Sequence, residues 1–181
     1  MTDVSRAVVT SVTTSRERAL AGGHWLLAAA PDRKQARVDW AEKGAAWLRP
    51  GALFAPVVVP ARVVHAAVGL SSPEECAGPL AEVLENGPLF FDPAGFGTDG
   101  AYTALLPVSV RRLHIPPGLV LPPARALLRV PAPEVRERVE GGPWWVVPLD
   151  GPGLLCPFDR VAVLAQLGRD RLRAERGEGG E

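Results

Sequence analysis

The run Pro50-Gly51-Ala52-Leu53-Phe54-Ala55-Pro56-Val57-Val58-Val59-Pro60 constrains this chain more than any other stretch. It is the longest aromatic and β-branched run, and such side chains suit a pleated, buried strand better than a helix. The segments on either side read as helices. A strand held between two helices fixes the first half of the chain as mixed α and β.

A length of 181 residues suits one domain with a short tail, and a hydrophobic fraction of 47% is enough to fill a proper core. Twenty basic residues balance twenty acidic ones, so the net charge is zero. No whole-protein field draws in nucleic acid or an anionic membrane, and any such site must be a local patch. All the bases except Lys34 and Lys43 are arginine. Beside so much Ala, Gly and Pro this looks like coding bias, so arginine abundance by itself says little about phosphate binding. Cys76 and Cys156 sit in apolar or proline-flanked settings without C-x-x-C spacing. Buried reduced thiols are the simpler reading, with a disulfide as the alternative. The N-terminus is polar and no apolar run approaches the roughly 18 residues of a membrane span. A cytoplasmic protein with no membrane partner is expected.

Residues 1–12 read as a flexible arm, 13–173 as a single α+β domain and 174–181 as a disordered tail. Thr14-Ser15-Arg16-Glu17 fits a capping box. The helix it starts is expected to end at Gly22-Gly23, followed by a buried strand over 24–29 that His24 enters. Asp32 and Gln35 start a second helix, with Ala36 and Trp40 on one face and Gly44 closing it. After the central strand, Pro60 introduces a helix from Ala61 to Val68. Ser72-Pro73-Glu74-Glu75 starts another, which Pro79 should interrupt before it restarts and runs to Asn86-Gly87.

From Leu89 the texture changes to short apolar runs punctuated by Gly and Pro: 89–91, 102–106, 108–115, 119–121, 126–130 and 144–149. These read as antiparallel strands and hairpins, with the prolines confined to ends or edges. A last helix is expected to be capped by Asp159, with Val161, Leu164, Ala165, Gly168 and Leu172 on one face, and to dissolve over 169–176. The fold class is therefore α+β: a helix-rich first half around a buried central strand, then a strand-rich antiparallel second half.

The order of pieces from about Arg18 to Pro123 resembles the prim-pol domain, the N-terminal bifunctional primase/polymerase module of the archaeo-eukaryotic primase superfamily, in a small actinobacterial-type form. Ala19 to Ala29 stands where that family has a helix, a Gly-aromatic step and an apolar strand. Lys34 and Trp40 stand where it has a lysine loop and a Trp-bearing helix. Gly51 to Val59 stands at its metal-binding strand, and Leu119-Val120-Leu121-Pro122-Pro123 looks like its "VVxPPS" segment. The resemblance implies a primase-polymerase-like fold. The departures imply a module that is not an enzyme, because two-metal nucleotidyl transfer needs carboxylates to hold the metals. The family's metal acids fall near Ala55 and Val57. Its nucleotide-contacting His falls near 88–91, where there is none, and its third acid falls near Arg111 to Ile115.

Individual residues leave several readings open. Asp92 in Asp-Pro-Ala-Gly reads first as a turn signal, with a surviving metal ligand as the alternative. The Gly95–Gly100 stretch reads as a hairpin loop, since no Lys-Ser/Thr or helix start follows it as in a phosphate-cradling loop. His24, His65 and His114 share no metal-ligand spacing. Strand alternation would put Arg112 and His114 on one face, where they could grip a phosphate or an acidic partner or simply be solvated. Trp144-Trp145 places one indole on each face of a strand, one in the core and one as an edge cover or exposed contact.

The leading expectation is a non-catalytic binding or regulatory module that uses Trp144 or Trp145 and local arginines to hold a protein partner or a second copy of itself. An alternative keeps nucleotide or single-stranded nucleic-acid binding without chemistry through Lys34, Arg62, Arg111, Arg112 and His114. A third is an enzyme of unrelated class built on Asp92 and Asp99. No metal and no cofactor are expected.

Overall fold

The structure, a computed structural model, describes residues 14–95 and 99–178. Helices α1 (Ser15–Leu27) and α2 (Arg33–Lys43) are followed by strands β1 (Ala45–Leu48) and β2 (Ala55–Pro60) and helices α3 (Ala61–Val68) and α4 (Pro73–Val83). Strands β3 (Leu89–Asp92) and β4 (Ala101–Leu106) come next, then a 3₁₀ turn over Val108–Arg112. Strands β5 (Leu128–Pro131) and β6 (Trp144–Val147) and helix α5 (Phe158–Glu178) complete the α+β domain.

A four-stranded antiparallel sheet in the order β2-β4-β3-β6 forms its centre, and β1 and β5 make a separate two-stranded ladder. Because β2 and β3 both run antiparallel to β4, they are parallel to each other. The α3–α4 crossover joins them with β4 inserted between, a split β-α-β arrangement. Strand alternation then sorts the core into two layers. Ala55, Val57, Val59, Tyr102, Ala104, Leu106 and Phe91 pack beneath α3, α4 and α5. Phe90, Leu105 and Trp145 pack on the other side with Leu26, Trp40, Leu48 and Val130 from α1, α2 and the small ladder.

The run that organises the sequence is buried, yet β2 stands at the edge of the sheet, and its prolines show why this is tolerated. Val58 exchanges backbone hydrogen bonds with Val120, on the side away from β4, at 2.8 and 2.9 Å. With a period of two, Pro56 and Pro60 also turn their nitrogens outward, so the ladder to β4 loses no donor. Pro50 to Phe54 is not strand but an approach segment, with Phe54 fully buried.

Several starts are where the sequence puts them. Thr14 and Ser72 form capping boxes with Glu17 and Glu75, Asp32 caps α2, and Gly44 closes α2 in the left-handed region at φ 68°. Other expectations are corrected. Helix α1 runs through Gly22-Gly23 to Leu27, so no strand occupies 24–29. Those glycines are contact points, not a cap: an added Cβ would lie 3.2 Å from Leu149 Cδ2 at Gly22 and 3.0 Å from Pro133 Cγ at Gly23. Pro79 lies inside an unbroken α4. Gly78 precedes it and lacks the Cβ with which a proline ring clashes in the α region. The helix ends at Val83, and Glu85 and Asn86 turn the chain at φ 55° and 59° instead of extending it.

Val108–Arg112 is a 3₁₀ turn entered through Pro107 and the rest of 108–115 is not strand either, while 119–121 contributes only the Val58–Val120 bridge. Strand β1, four residues long, was not expected at all. Helix α5 begins at Phe158, with Asp159 inside its first turn, and continues to Glu178 through the region expected to dissolve. The disordered tail is thus helical over 174–178. Its last three residues, like the expected arm at 1–12, lie outside the described residues.

Candidate functional site

Position Ala55 and Val57, the places where the resemblance puts metal acids, are 0% exposed and packed under the helical layer. The helices come so close there because Gly168 of α5 lies against the α3 backbone, where a Cβ would meet Val63 O at 1.9 Å. Arg171 clamps the same pair, its Nη1 donating to Ala66 O and Ala67 O at 3.0 Å each. Orphan carbonyls at the end of α3 are satisfied in this way.

Beside that contact lies a groove of about 250 Å³ between the start of α3 and the second half of α5. Arg62 lines one wall, and Arg169, Arg173 and Arg176 line the other, with Gly118 and Leu172 between them. Spacing of i, i+4 and i+7 puts the three α5 arginines on one stripe about 10 Å long. Arg169 is fixed in place by Nη1 donating to Pro117 O at 2.8 Å. Its chain lies across Gly118, which is at φ 93° and whose Cβ would stand 2.4 Å from Arg169 Cδ. Arg173 makes a 3.5 Å contact with Asp170, both side chains well exposed, a pair worth little. Among the described residues, the lining contains no carboxylate. Like charges gathered this way repel, and an anion between them would relieve it.

The sequence candidates do not form one site. Lys34 is exposed in the first turn of α2, across the sheet from Arg62 on α3. Arg111 is half-buried, and its Nη1 donates to Pro122 O at 3.0 Å, strapping the 3₁₀ turn to the following loop. Its Nε and Nη2 are buried without a hydrogen-bond partner in the protein. Arg112 and His114 are exposed but share no strand face, because the strand is absent. Only Arg62 of the five enters the groove. Its three companions were missed because they fall in a segment read as a fraying tail. Their i, i+4, i+7 spacing was the available signal.

Trp144 and Trp145 do point to opposite faces, but both are buried, at 4% and 1% exposure. Trp145 Nε1 donates to Ala132 O at 3.1 Å, and its ring meets Phe90 edge-on, so the exposed indole expected of this pair is not there. The exposed indole is Trp47 on β1, at 54%. Asp92 makes a turn, accepting from Ala94 N at 2.9 Å. His24 is exposed on α1 and borders an apolar groove of about 380 Å³ with Leu20, Leu27, Trp40 and Pro133.

One polar thread runs through the core. His65 Nε2 and Tyr102 Oη are 2.9 Å apart, and the Cys76 thiol is buried in the same core layer as Tyr102. Burial lowers the pKa of His65 and raises those of Cys76 and Tyr102, so at neutral pH all three are uncharged. A thiol held protonated is a poor nucleophile. Cys156 is a free, buried thiol pushed up to about 12 by burial. Among the described residues no cluster of His, Cys, Asp and Glu could hold a metal ion, and no helix is long and apolar enough to cross a membrane.

Compared with family models, curated proteins and solved structures, the chain matches none. The arrangement itself defines the class of site: a surface cleft lined by arginine, beside a sheet whose faces are taken up by packing.

Proposed function

We propose that the chain is a catalytically inactive, primase-polymerase-like module that works by binding, and that it holds a phosphate-bearing ligand in the α3–α5 groove. The observation that carries this reading is the convergence of Arg62, Arg169, Arg173 and Arg176 on one cleft whose lining, among the described residues, has no carboxylate. Guanidinium groups offer forked donors that match phosphate oxygens two at a time. The loss of chemistry is supported by Ala55 and Val57, whose side chains are spent on the core.

The test is fluorescence anisotropy of a labelled single-stranded oligonucleotide, titrated with protein at 50 and 200 mM salt. Engaging three to four phosphates predicts a log–log salt slope of about −2 to −3. Absent or salt-independent binding of both the oligonucleotide and nucleoside triphosphates would remove the reading. Metal-dependent primer synthesis by the purified chain would remove its inactivity.

Trp47 favours a second reading, in which the β1–β5 ladder contacts a protein partner or a second copy. An indole standing out from a short ladder with open edges is a ready contact. Replacing Trp47 by Ser should then lower the apparent mass of any oligomer seen by light scattering; an unchanged mass argues against self-association through it.

A further inference from the structure

We infer that the α3–α5 groove is built for a short condensed phosphate, a diphosphate or triphosphate group, in preference to a nucleoside or a long strand. This rests on the phosphate-binding reading above and narrows it. At about 250 Å³ the cleft is smaller than the roughly 300–1,000 Å³ of sites that enclose a drug-sized organic ligand. Among the described residues its lining holds no aromatic ring on which a base could stack. What it offers is charge at high density. Four guanidinium groups face each other across one cleft, three of them within two turns of α5. A single phosphate brings about −1.5 to −2 charges, and two or three linked phosphates match four arginines where one does not.

The geometry is also partly set before any ligand arrives. Arg169 is tied to Pro117 O and bedded on Gly118, so one donor array loses little freedom on binding. The α3 wall is held at a fixed distance by the Gly168 contact and the Arg171 clamp, which places Arg62 opposite the α5 stripe. The first turn of α3 adds to the same field: Pro60 and Val63 line the cleft, and no side chain caps that helix end.

Isothermal titration of the full chain with sodium tripolyphosphate, ATP, adenosine and a single-stranded oligonucleotide tests this. Tripolyphosphate and ATP should bind within about tenfold of each other, and adenosine not at all, because the phosphates carry the affinity. Arg62→Ala and Arg173→Ala, on opposite walls, should each weaken tripolyphosphate about tenfold to a hundredfold. Gly118→Ala keeps every charge but dislodges Arg169, and should weaken it as well. Circular dichroism of each variant separates these losses from unfolding. Oligonucleotide binding without tripolyphosphate binding would overturn the inference and leave the broader reading standing. If neither binds, both fall. Tight ATP binding with no tripolyphosphate binding would also overturn it, because the nucleoside would then be the recognised part.

Discussion

Replacing Gly168 by Ala adds one methyl group where α5 lies directly against the α3 backbone. The new Cβ would be placed 1.9 Å from Val63 O and 2.8 Å from Val63 C, both backbone atoms that cannot rotate away. Contacts below 3.0 Å are not tolerated, so α3 and α5 must separate locally by about 1 Å. A gap of that size forfeits a quarter to a half of each dispersion contact across it. The contacts at stake include Val63, Val64 and Ala67 on α3 and Val161, Leu164 and Ala165 on α5. Overpacking of this kind costs about 1–3 kcal/mol, and an unyielding backbone puts it at the upper end or beyond. Alanine returns about 1 kcal/mol through its better helix propensity. A net loss of about 2–3 kcal/mol lowers Tm by roughly 4–12 °C in a chain of this size. Thermal unfolding followed by circular dichroism measures it. Gly177→Ala near the end of the same helix, with nothing within 4 Å of its new Cβ, is the control and should cost nothing. A Gly168→Ala variant as stable as the parent would refute the close-contact account of how α5 seats on the sheet.

Two pH effects follow from the buried titratable groups. His65 has a folded pKa below its unfolded value of about 6.5, so the unfolded chain takes up the proton first. Its contribution to stability is intact above about pH 7 and is lost as the pH falls through 6.5; His65→Gln should flatten the fall in Tm between about pH 7 and 5.5, and an unchanged slope would point elsewhere. On the alkaline side Cys76, Cys156 and Tyr102 have raised pKa values, so their contributions are complete below the unfolded values of 9.0 and 10.0 and are lost as pH rises past them. Cys156 alone, shifted from 9.0 to about 12, accounts for on the order of 4 kcal/mol by the top of that range. The chain has a single tyrosine. Tyrosinate absorbance should therefore rise together with loss of the helical signal, and a smooth titration in the folded state near pH 10 would contradict the burial of Tyr102.

Local signals with one short-range cause were legible in the sequence. The boxes at Thr14 and Ser72, the Asp32 cap and the Gly44 stop each depend on a few neighbouring residues, and each stands as read. What could not be read depends on tertiary partners. Gly22-Gly23 carries the same letters as a helix stop, and only the presence of Leu149 and Pro133 makes it a crossing point. Pro79 looks like a breaker until Gly78 is weighed with it. Strand β1 is four residues long, and its pairing with β5 spans more than eighty residues of chain. The alternation that seemed to join Arg112 and His114 fails because Pro107 starts a tight turn, not a strand. The site was half legible for the same reason: Arg62 and the spacing of the α5 arginines are in the sequence, but that they face each other depends on the α3–α5 contact.

Stability and binding meet on one element. Gly168 and Arg169 are adjacent in α5: the first brings α5 onto α3, the second lies in the groove that this approach creates. Arg171, two residues on, ties the end of α3 to the same helix from the other side. The spacing between Arg62 and the α5 stripe is thus not an independent surface property but a consequence of how the helical layer closes over β2. Prying the helices apart at Gly168 should therefore widen the groove as well as weaken the core. A Gly168→Ala protein kept folded at low temperature is expected to lose affinity for tripolyphosphate although no arginine has been touched. Retention of full affinity in a destabilised variant would separate the two, and would mean that the arginines reach their ligand by side-chain flexibility and not by the placement of their helices.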